Sequence, residues 1–306
     1  MSTPSNAMPE SSETTAPAAM SPAHPLYWSV RRELWENRSL YLAPLAAAGA
    51  ALFGFLISMT GLAHWNLSTL HGMDQRDYIA KPYDITAGVM MATMILVTVF
   101  YCADALHGER RDRSILFWKS LPVSDLTTVL AKASIPFLVL PLLTFAIAVA
   151  LQFIMLLLNS AVLLASGKNV AALWTQLSVT RMWLLLLYHL LTAHTLWPAP
   201  VYCWLLLVSG WARRATLLWA VLPIIVIAGV ERLVFQTSHF AALVFARFIG
   251  DTPSIAMMAP DTFPTDPMTH ITPGTFLSTP GLWVGLAIAA AFLAAAVRLR
   301  RYQTPV

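Results

Sequence analysis

The chain has 306 residues, of which 58% are hydrophobic and only 11% carry a charge. A soluble domain of this length has about twice that charged fraction, so the composition excludes an ordinary soluble protein and places the chain among membrane proteins. The net charge of +4 does not indicate a nucleic-acid partner, because the basic residues are strung between apolar segments and form no single patch.

The amino-terminal region has two parts with different patterns. Residues 1–25 are rich in Ser, Thr, Pro and Ala and contain no apolar block, so we expect a disordered cytoplasmic tail that is not a signal peptide. In residues 26–39, aromatic and aliphatic side chains fall on one arc of a helical wheel, and Arg32, Glu33 and Glu36 fall on the opposite arc. This second pattern predicts an amphipathic helix along the membrane surface.

Six segments then have the length and apolar character of a membrane-spanning helix, which needs about 20 mainly apolar residues. They are Leu40–Ala63, Thr86–Leu106, Val129–Leu158, Met182–Ser209, Ala215–Phe235 and Gly281–Val297. Pro136 and Pro141 predict a kink or tilt in the third span, and Pro198 and Pro200 free backbone carbonyls in the fourth. The sequence therefore predicts an all-α, six-span membrane domain over residues 26–301.

The distribution of Lys and Arg predicts the orientation of these spans. If the amino terminus is cytoplasmic, most basic residues lie on the cytoplasmic side, as membrane proteins prefer. Both termini and the charged segment after the second span are then cytoplasmic. The longest outer segment is 236–280, and its apolar start, residues 239–251, predicts a short helix on the membrane or folded back into it.

A charged segment, LHGERRDRSILFWKSLPVSD, joins the second and third spans at residues 106–125. Its charged residues precede the apolar run 115–118, a pattern typical of a short interfacial helix that can contact a soluble partner. Pro122 is expected to end this helix, and Ser124 with Asp125 to cap the next one. Composition alone leaves two interpretations open, a docking element and a solvated connector.

These features together resemble the permease subunits of bacterial type-2 ATP-binding-cassette exporters. The similarity rests on the leader VRRELWENRSLYLAPL (residues 30–45), the six spans and the loop ERRDRSILFWKSLPVSD (residues 109–125), and it extends over residues 25–301. It implies a multi-pass protein of the bacterial inner membrane that pairs with a second copy or a related permease and binds a separate cytoplasmic ABC ATPase. ATP and Mg²⁺ would act in that partner. Short re-entrant helices are implied within 236–280.

By this resemblance, the loop 107–125 contains the coupling helix that sits in a groove of the ATPase. The expected ATPase-coupling residues are Glu109, Arg110, Arg111, Asp112, Ile115, Phe117, Trp118, Pro122 and Ser124. The charged members would carry polar contacts, the apolar run would seat the helix, and the last two would fix the turn into the third span. The expected function is a translocation pathway for export, with the substrate left open.

The chain itself carries no recognisable catalytic motif. Its only Gly-Lys pair, Gly167-Lys168, is followed by Asn169, and Val162 stands where a phosphate-binding loop has its first glycine. We therefore expect no ATP hydrolysis and no cofactor in this chain. The spacing of its Cys and His residues indicates no metal site, and no catalytic residue is assigned.

Ionisable residues in or near the spans are candidates for a pathway or gating role. They are Asp104, His189, His194 and Glu231. The competing explanations are structural. The two histidines, spaced i,i+5, would bond neighbouring helices or water, Asp104 would pair with His107, and Glu231 would pair with its neighbour or reach the interface.

Two other functions remain open at this stage. The chain could be a non-transporting scaffold or sensor that binds an ATPase, which predicts complex formation without flux of a substrate. It could also be an intramembrane enzyme that uses His189, His194 or Asp104, which predicts activity without any ATPase.

Overall fold

The computed structural model describes residues 23–62, 75–112, 123–167, 170–249 and 273–302. Helices make up most of these residues, and no strand occurs among them. The all-α class that the sequence predicts is therefore confirmed for the described part of the chain. Of the predicted tail, residues 1–22 lie outside that part.

The helices are numbered in chain order. They are α1 (Ala23–Glu36), α2 (Ser39–Leu62), α3 (Gln75–Asp104), α4 (His107–Arg111), α5 (Asp125–Ser134), α6 (Leu140–Ala165), α7 (Ala171–Gln176), α8 (Val179–Leu191), α9 (Ala199–Trp211), α10 (Thr216–Phe235), α11 (His239–Ile249), α12 (Pro273–Ser278) and α13 (Pro280–Tyr302). A π-helical turn, Ile135–Val139, joins α5 to α6, and a second, Thr192–Leu196, follows α8.

Several of these helices are long and apolar enough to cross a membrane. Among the described residues, five continuous stretches qualify, namely Ser39–Met59, Ala80–Arg111, Asp125–Ala165, Thr216–Phe235 and Pro280–Tyr302. A sixth span results if the bent pair Val179–Leu196 and Ala199–Trp211 is counted as one. The described part of the chain therefore contains five or six helices long and apolar enough to span a membrane, which makes it a multi-pass membrane protein, as its composition predicts.

The prolines act differently in the third and fourth predicted spans. In the third, Pro136 lies in the π-helical turn and the helix continues as the 41-residue stretch Asp125–Ala165. The wider turn accommodates the missing amide donor without a sharp break. In the fourth, the two halves meet at 50° on either side of Pro198, and this is the one broken span among the described helices.

The core of the bundle forms around α3 and α9. Helix α3 packs against α2, α6 and α9, while α9 also packs along α13. Fully buried side chains in this core include Met90 and Met94 of α3, Met155 of α6, and Tyr202 and Leu206 of α9. Helix α10 lies outside this core, since only 6% of its most apolar stretch is buried against other helices. Such an exposed apolar surface suits contact with lipid chains.

One end of the bundle brings together four segments that are distant in the sequence. Helix α1 packs on α5, α5 packs on α13, and α4 contacts both α3 and α9. Several basic residues that the sequence predicts on one side of the membrane, among them Arg110, Lys132 and Arg300, are thus gathered at one end of the described structure. The candidate site lies here.

Candidate functional site

Helix α1 turns Glu33 of its polar arc towards the bundle, while three of its aromatic side chains point outward and Glu36 is 47% exposed. Glu33 is fully buried, whereas Tyr27, Trp28 and Trp35 are between 57% and 71% exposed. A surface helix of a soluble protein would have the opposite arrangement, because water would take the charged side. Outward aromatic rings instead suit the headgroup region of a membrane.

The carboxylate of Glu33 is held by donors from three helices. Its Oε1 accepts from Arg32 Nη2 of the same helix and from Lys132 Nζ of α5, both at 2.8 Å. Its Oε2 accepts from the hydroxyl of Tyr101 on α3 at 3.0 Å. Glu33 therefore ties the surface helix to the ends of the second and third spans.

Glu109 of α4 forms the second centre of the same network. Its Oε1 accepts from Arg32 Nη2 at 3.1 Å and lies 3.2 Å from Lys132 Nζ, and its Oε2 accepts from Arg300 Nη1 of α13 at 2.5 Å. The Nε of Arg300 donates to Asp125 at the start of α5, at 3.2 Å. Lys132 bridges both glutamates, so the two centres form one unit.

We call these six residues the buried ion cluster. They are Arg32, Glu33, Glu109, Asp125, Lys132 and Arg300. Three cations face three anions, so the formal charge of the cluster is zero when every group is ionised. The four central side chains are each at most 6% exposed, while Arg32 and Asp125 lie at the edge with 18% and 27% exposure. Such a network tolerates burial only while each charge keeps its partners.

The pKa values of the α1 side chains follow from this packing. Burial lowers the pKa of Arg32, but its hydrogen bond and ion pair with Glu33 outweigh the burial, and the pKa is raised overall. Burial raises the pKa of Glu36, and the neighbouring Arg32, with an Nε–Oε1 distance of 3.5 Å, opposes this shift only in part.

Arg110 is also buried, but it serves the backbone of another helix. Its Nη1 donates to the carbonyl oxygens of Gly210 at 2.7 Å and Ala212 at 3.3 Å. These carbonyls lie at the end of α9, where backbone acceptors lack helical donors and the helix dipole favours a cation. The side chain of Arg110 therefore fixes α4 to the broken fourth span.

The predicted coupling residues are thus divided between the interior and the surface. Glu109 and Arg110 point inward and contact this chain, while Arg111 and Asp112 are exposed and pair with each other at 3.2 Å. Ser124 caps α5 as predicted, its Oγ accepting from the amide of Thr127 at 3.1 Å. Four further coupling residues lie outside the described residues. They are Ile115, Phe117, Trp118 and Pro122.

Asp104 does not form the pair that its spacing predicts. The Nδ1 of His107 lies 3.1 Å from the carbonyl oxygen of Ala212, and the exposed Asp104 carboxylate lies 3.9 Å from Arg111 Nη1. The short helix α4 begins between them and turns His107 towards α9, which separates the two side chains. Asp104 is thus a solvated residue at the rim of the candidate site.

His189 and His194 occupy two different kinds of helix. The Nδ1 of His189 lies 2.8 Å from the carbonyl oxygen of Leu185, one turn earlier in α8. His194 lies in the π-helical turn, where its carbonyl oxygen accepts from the hydroxyl of Tyr202 at 3.0 Å. The ring of Tyr202 meets Phe137 of the other π-helical turn, with centroids 6.5 Å apart. The two irregular turns therefore contact each other inside the bundle.

Glu231 caps the following helix. Its Oε1 accepts from the hydroxyl of Thr237 at 2.9 Å and the amide of His239 at 2.7 Å, and its Oε2 accepts from the amide of Phe240 at 2.8 Å. These amides open α11, whose first donors have no helical acceptor. The carboxylate joins the end of α10 to the start of α11.

A second charged contact lies beside α11, near the break in the fourth span. Arg247 stacks on the ring of Trp197, with its guanidinium carbon 4.5 Å from the centroid, and donates to the carbonyl oxygens of Trp197 and Gly281 at 3.3 Å and 2.7 Å. A Cβ at Gly285 would lie only 2.8 Å from Arg247 Nη1. Glycine at this position of α13 therefore makes room for the guanidinium.

Four residues of the site were not predicted from the sequence. Glu33 is a buried acceptor and Tyr101 donates to it, Lys132 links Glu33 to Glu109, and Arg300 pairs with Glu109. One signal was present, because Lys132 lies within the predicted third span, where an isolated cation normally needs a partner. Glu33 was placed on the polar arc of a surface helix and was expected to face water.

Comparison with known proteins gives no relative for this chain. No family model matches it, and no curated protein or solved structure is similar enough to count as a match. Within the described residues, no group of three or more His, Cys, Asp or Glu side chains could hold a metal ion. The buried ion cluster and the sequence resemblance are therefore the two indications of function that this chain offers.

Proposed function

We propose that this chain is the permease subunit of an ATP-driven exporter of the bacterial inner membrane, with both termini cytoplasmic. In this proposal, the segment 107–125 contacts a separate cytoplasmic ATPase. The observation that carries the proposal is the buried ion cluster, which attaches both ends of that segment to α1 and α13. Glu109 lies at the amino-terminal end of the segment, and Asp125 and Lys132 lie at its carboxy-terminal end and in the helix that follows.

The cluster supports a mechanical role for the segment. A solvated connector needs no fixed attachment, whereas a docking element transmits force only if its ends are held by the helices that must move. A displacement of the segment would move α3 and α5 directly, because α3 precedes the segment in the chain and α5 follows it. Through Lys132 and Arg300 it would also act on α1 and α13. The permease would then shift as connected helices between inward-open and outward-open states.

Energy would enter through the partner. The ATPase would bind the two states of the permease with different affinity. The coupling free energy is the difference between these two binding free energies. ATP and Mg²⁺ would act in that partner, and the working unit would contain a second permease copy or a related chain. The substrate is left unassigned.

The placement of the coupling residues divides their proposed roles. Arg111 and Asp112 are exposed and available to a partner. The apolar run 115–118 lies outside the described residues, and its role in seating the segment stays a sequence prediction. Glu109 and Arg110 would instead orient the segment from inside. Charge reversal at these two residues would disturb the interior of the chain as well as docking, so it does not isolate the partner contact.

The test is co-purification from native membranes in mild detergent, followed by an ATPase assay of the soluble subunit that accompanies the chain. We expect Asp112→Lys combined with Trp118→Ala to reduce ATPase recovery and stimulated activity by roughly tenfold or more, since loss of an aromatic residue and reversal of a charge at an interface typically cost this much affinity. Trp283→Ala is the matched control, since Trp283 is exposed on α13 and far along the chain from the segment.

Three outcomes would contradict the proposal or restrict it. A chain that purifies alone and shows no associated ATPase would refute it. Unchanged ATPase recovery in the Asp112→Lys, Trp118→Ala variant would refute docking through this segment. A complex whose ATPase activity never drives substrate flux in proteoliposomes would favour the non-transporting scaffold.

A further inference from the structure

An open pocket lies between α4 and the turn that joins α9 to α10. Its volume is about 390 Å³, and basic side chains dominate its lining. The lining residues are His107, Arg111, Arg213, Arg214 and Ala215. The pocket lies near the buried ion cluster, but no residue of the cluster lines it.

The charges around this pocket are unbalanced. Arg213 and Arg214 are exposed, and neither forms an ion pair with a residue in the described part of the chain. The acidic groups near the pocket lie on one edge, where Asp112 and Asp104 face Arg111 at 3.2 Å and 3.9 Å. The side formed by Arg213 and Arg214 therefore carries positive charge that no carboxylate compensates.

The backbone adds to this positive character. Ala215 has φ 50° and ψ 55°, in the left-handed region, and this turn starts the 20-residue helix α10 at the pocket wall. No side chain caps this start, so the first backbone N–H groups of α10 can donate to another acceptor. Amide donors and the helix dipole both favour an anion beside the arginines.

The surroundings of the pocket indicate where such an anion would come from. Trp211 and Trp219 flank the turn, are 53% and 41% exposed, and have ring centroids 5.3 Å apart. Leu217 and Leu218 beside them are exposed as well. Aromatic residues next to an apolar helix surface mark the headgroup level of a membrane, so the pocket opens where lipid phosphates lie.

We propose that this pocket binds the phosphate of an anionic phospholipid headgroup, such as phosphatidylglycerol, through Arg213 and Arg214. The acyl chains would lie against the exposed apolar surface of α10. A bound lipid would also stand next to Arg111 and thus beside the segment 107–125. The inference requires that the chain is embedded in a membrane, and it does not depend on an ATPase partner.

The experiment measures lipid retention by native mass spectrometry on purified protein exchanged into detergent. The probes are phosphatidylglycerol and phosphatidylcholine at equal concentration, and inorganic phosphate alone. For the Arg213→Gln, Arg214→Gln variant we expect phosphatidylglycerol to bind roughly 30-fold more weakly, the effect of losing two basic side chains at a membrane surface. Binding of phosphatidylcholine should not change.

Two further variants separate this site from general charge attraction. Arg213→Lys with Arg214→Lys keeps the charge and should retain most of the binding. The matched control, Arg181→Gln with Arg232→Gln, removes the same charge from two exposed arginines elsewhere, Arg232 being 16 positions beyond the start of α10, or about 24 Å along the helix. This control should bind phosphatidylglycerol like the unmodified chain.

Each contrary outcome overturns the proposal. Equal losses of phosphatidylglycerol binding in the pocket variant and in the control would show that the net charge of the protein attracts the lipid and that the pocket does not. Saturable binding of inorganic phosphate with no preference for phosphatidylglycerol would assign the pocket to a free anion. Unchanged lipid binding, with loss of a co-purifying protein, would assign Arg213 and Arg214 to a protein contact. Because Asp112 and Trp118 stay intact in these variants, the result is distinct from the test of docking.

Discussion

Lys132 links the two acidic centres of the buried ion cluster, because it lies 2.8 Å from Glu33 and 3.2 Å from Glu109 with a side chain only 3% exposed. The substitution Lys132→Met keeps a long unbranched side chain and removes the ammonium group. The two buried carboxylates then share Arg32 as a common cation, and the cluster carries one uncompensated negative charge. We therefore expect a large loss of stability from a change of similar volume.

The magnitude follows from the arrangement of charges. Removing one member of a buried, hydrogen-bonded pair typically costs about 3–5 kcal/mol, because the remaining charge loses its partner without regaining water. For a chain of this size, that loss corresponds to a fall in the midpoint of thermal unfolding on the order of 10 °C. Lys81→Met is the matched control, since Lys81 is exposed, and it should change stability by less than about 0.5 kcal/mol.

A compensating variant makes this prediction specific to the cluster. Glu33→Gln leaves an excess of positive charge, so alone it should also destabilise the chain. In combination with Lys132→Met it restores a neutral cluster, in which Arg32 pairs with Glu109 and Arg300 with Asp125. We expect the combined loss to be smaller than the sum of the single losses by about 1–3 kcal/mol.

The assay is thermal unfolding of the detergent-purified protein, followed by the monodisperse fraction that remains after heating. Lys132→Met must lower the midpoint clearly more than Lys81→Met does. If both lysine variants unfold together, or if the Glu33→Gln, Lys132→Met double variant loses the full sum of the single effects, then Glu33 and Lys132 do not act as one unit. The cluster would then not be the attachment proposed for the segment 107–125.

Two further predictions concern the region around α11. Gly285→Ala places a methyl group against the guanidinium of Arg247 and should destabilise the chain by about 1–3 kcal/mol, and adding Arg247→Ala should recover part of the loss made by the methyl group; equal effects of Gly285→Ala with and without Arg247 would contradict this. Glu231→Gln weakens the acceptor that opens α11, so hydrogen exchange of residues 239–249 should speed up by an amount corresponding to about 0.5–2 kcal/mol, with α9 unchanged as the internal control. Unchanged exchange in α11 would show that the cap contributes nothing.

Much of the architecture could be predicted because it depends on local sequence. Membrane spans are set by length and apolar content, and five of the six predicted segments correspond to continuous helices in the structure. The cap at Ser124 also follows from its own segment, since an N-terminal oxygen needs only the amides that come next. The bend near Pro198 was not predicted, since the prolines suggested a kink in the third span and only freed carbonyls in the fourth.

The site itself could be predicted only in part. The sequence singled out the segment that contains Glu109 and Arg110, because charges are rare in this chain. It did not indicate that these two side chains turn inward while Arg111 and Asp112 remain exposed. A helical wheel shows which residues share a face, but not what lies against that face. The polar arc of α1 was expected in water for this reason, and Glu33 is instead fully buried.

By itself, the sequence determined that the chain is helical, spans a membrane several times and carries a charged segment between its second and third spans. Only the tertiary structure decided which charges meet. Glu109 and Arg300 are 191 positions apart, and Glu33 and Lys132 are 99 apart, so no local pattern connects them. Their pairing results from the packing of α1, α4, α5 and α13 at one end of the bundle, because charges placed together away from water are stable only as partners.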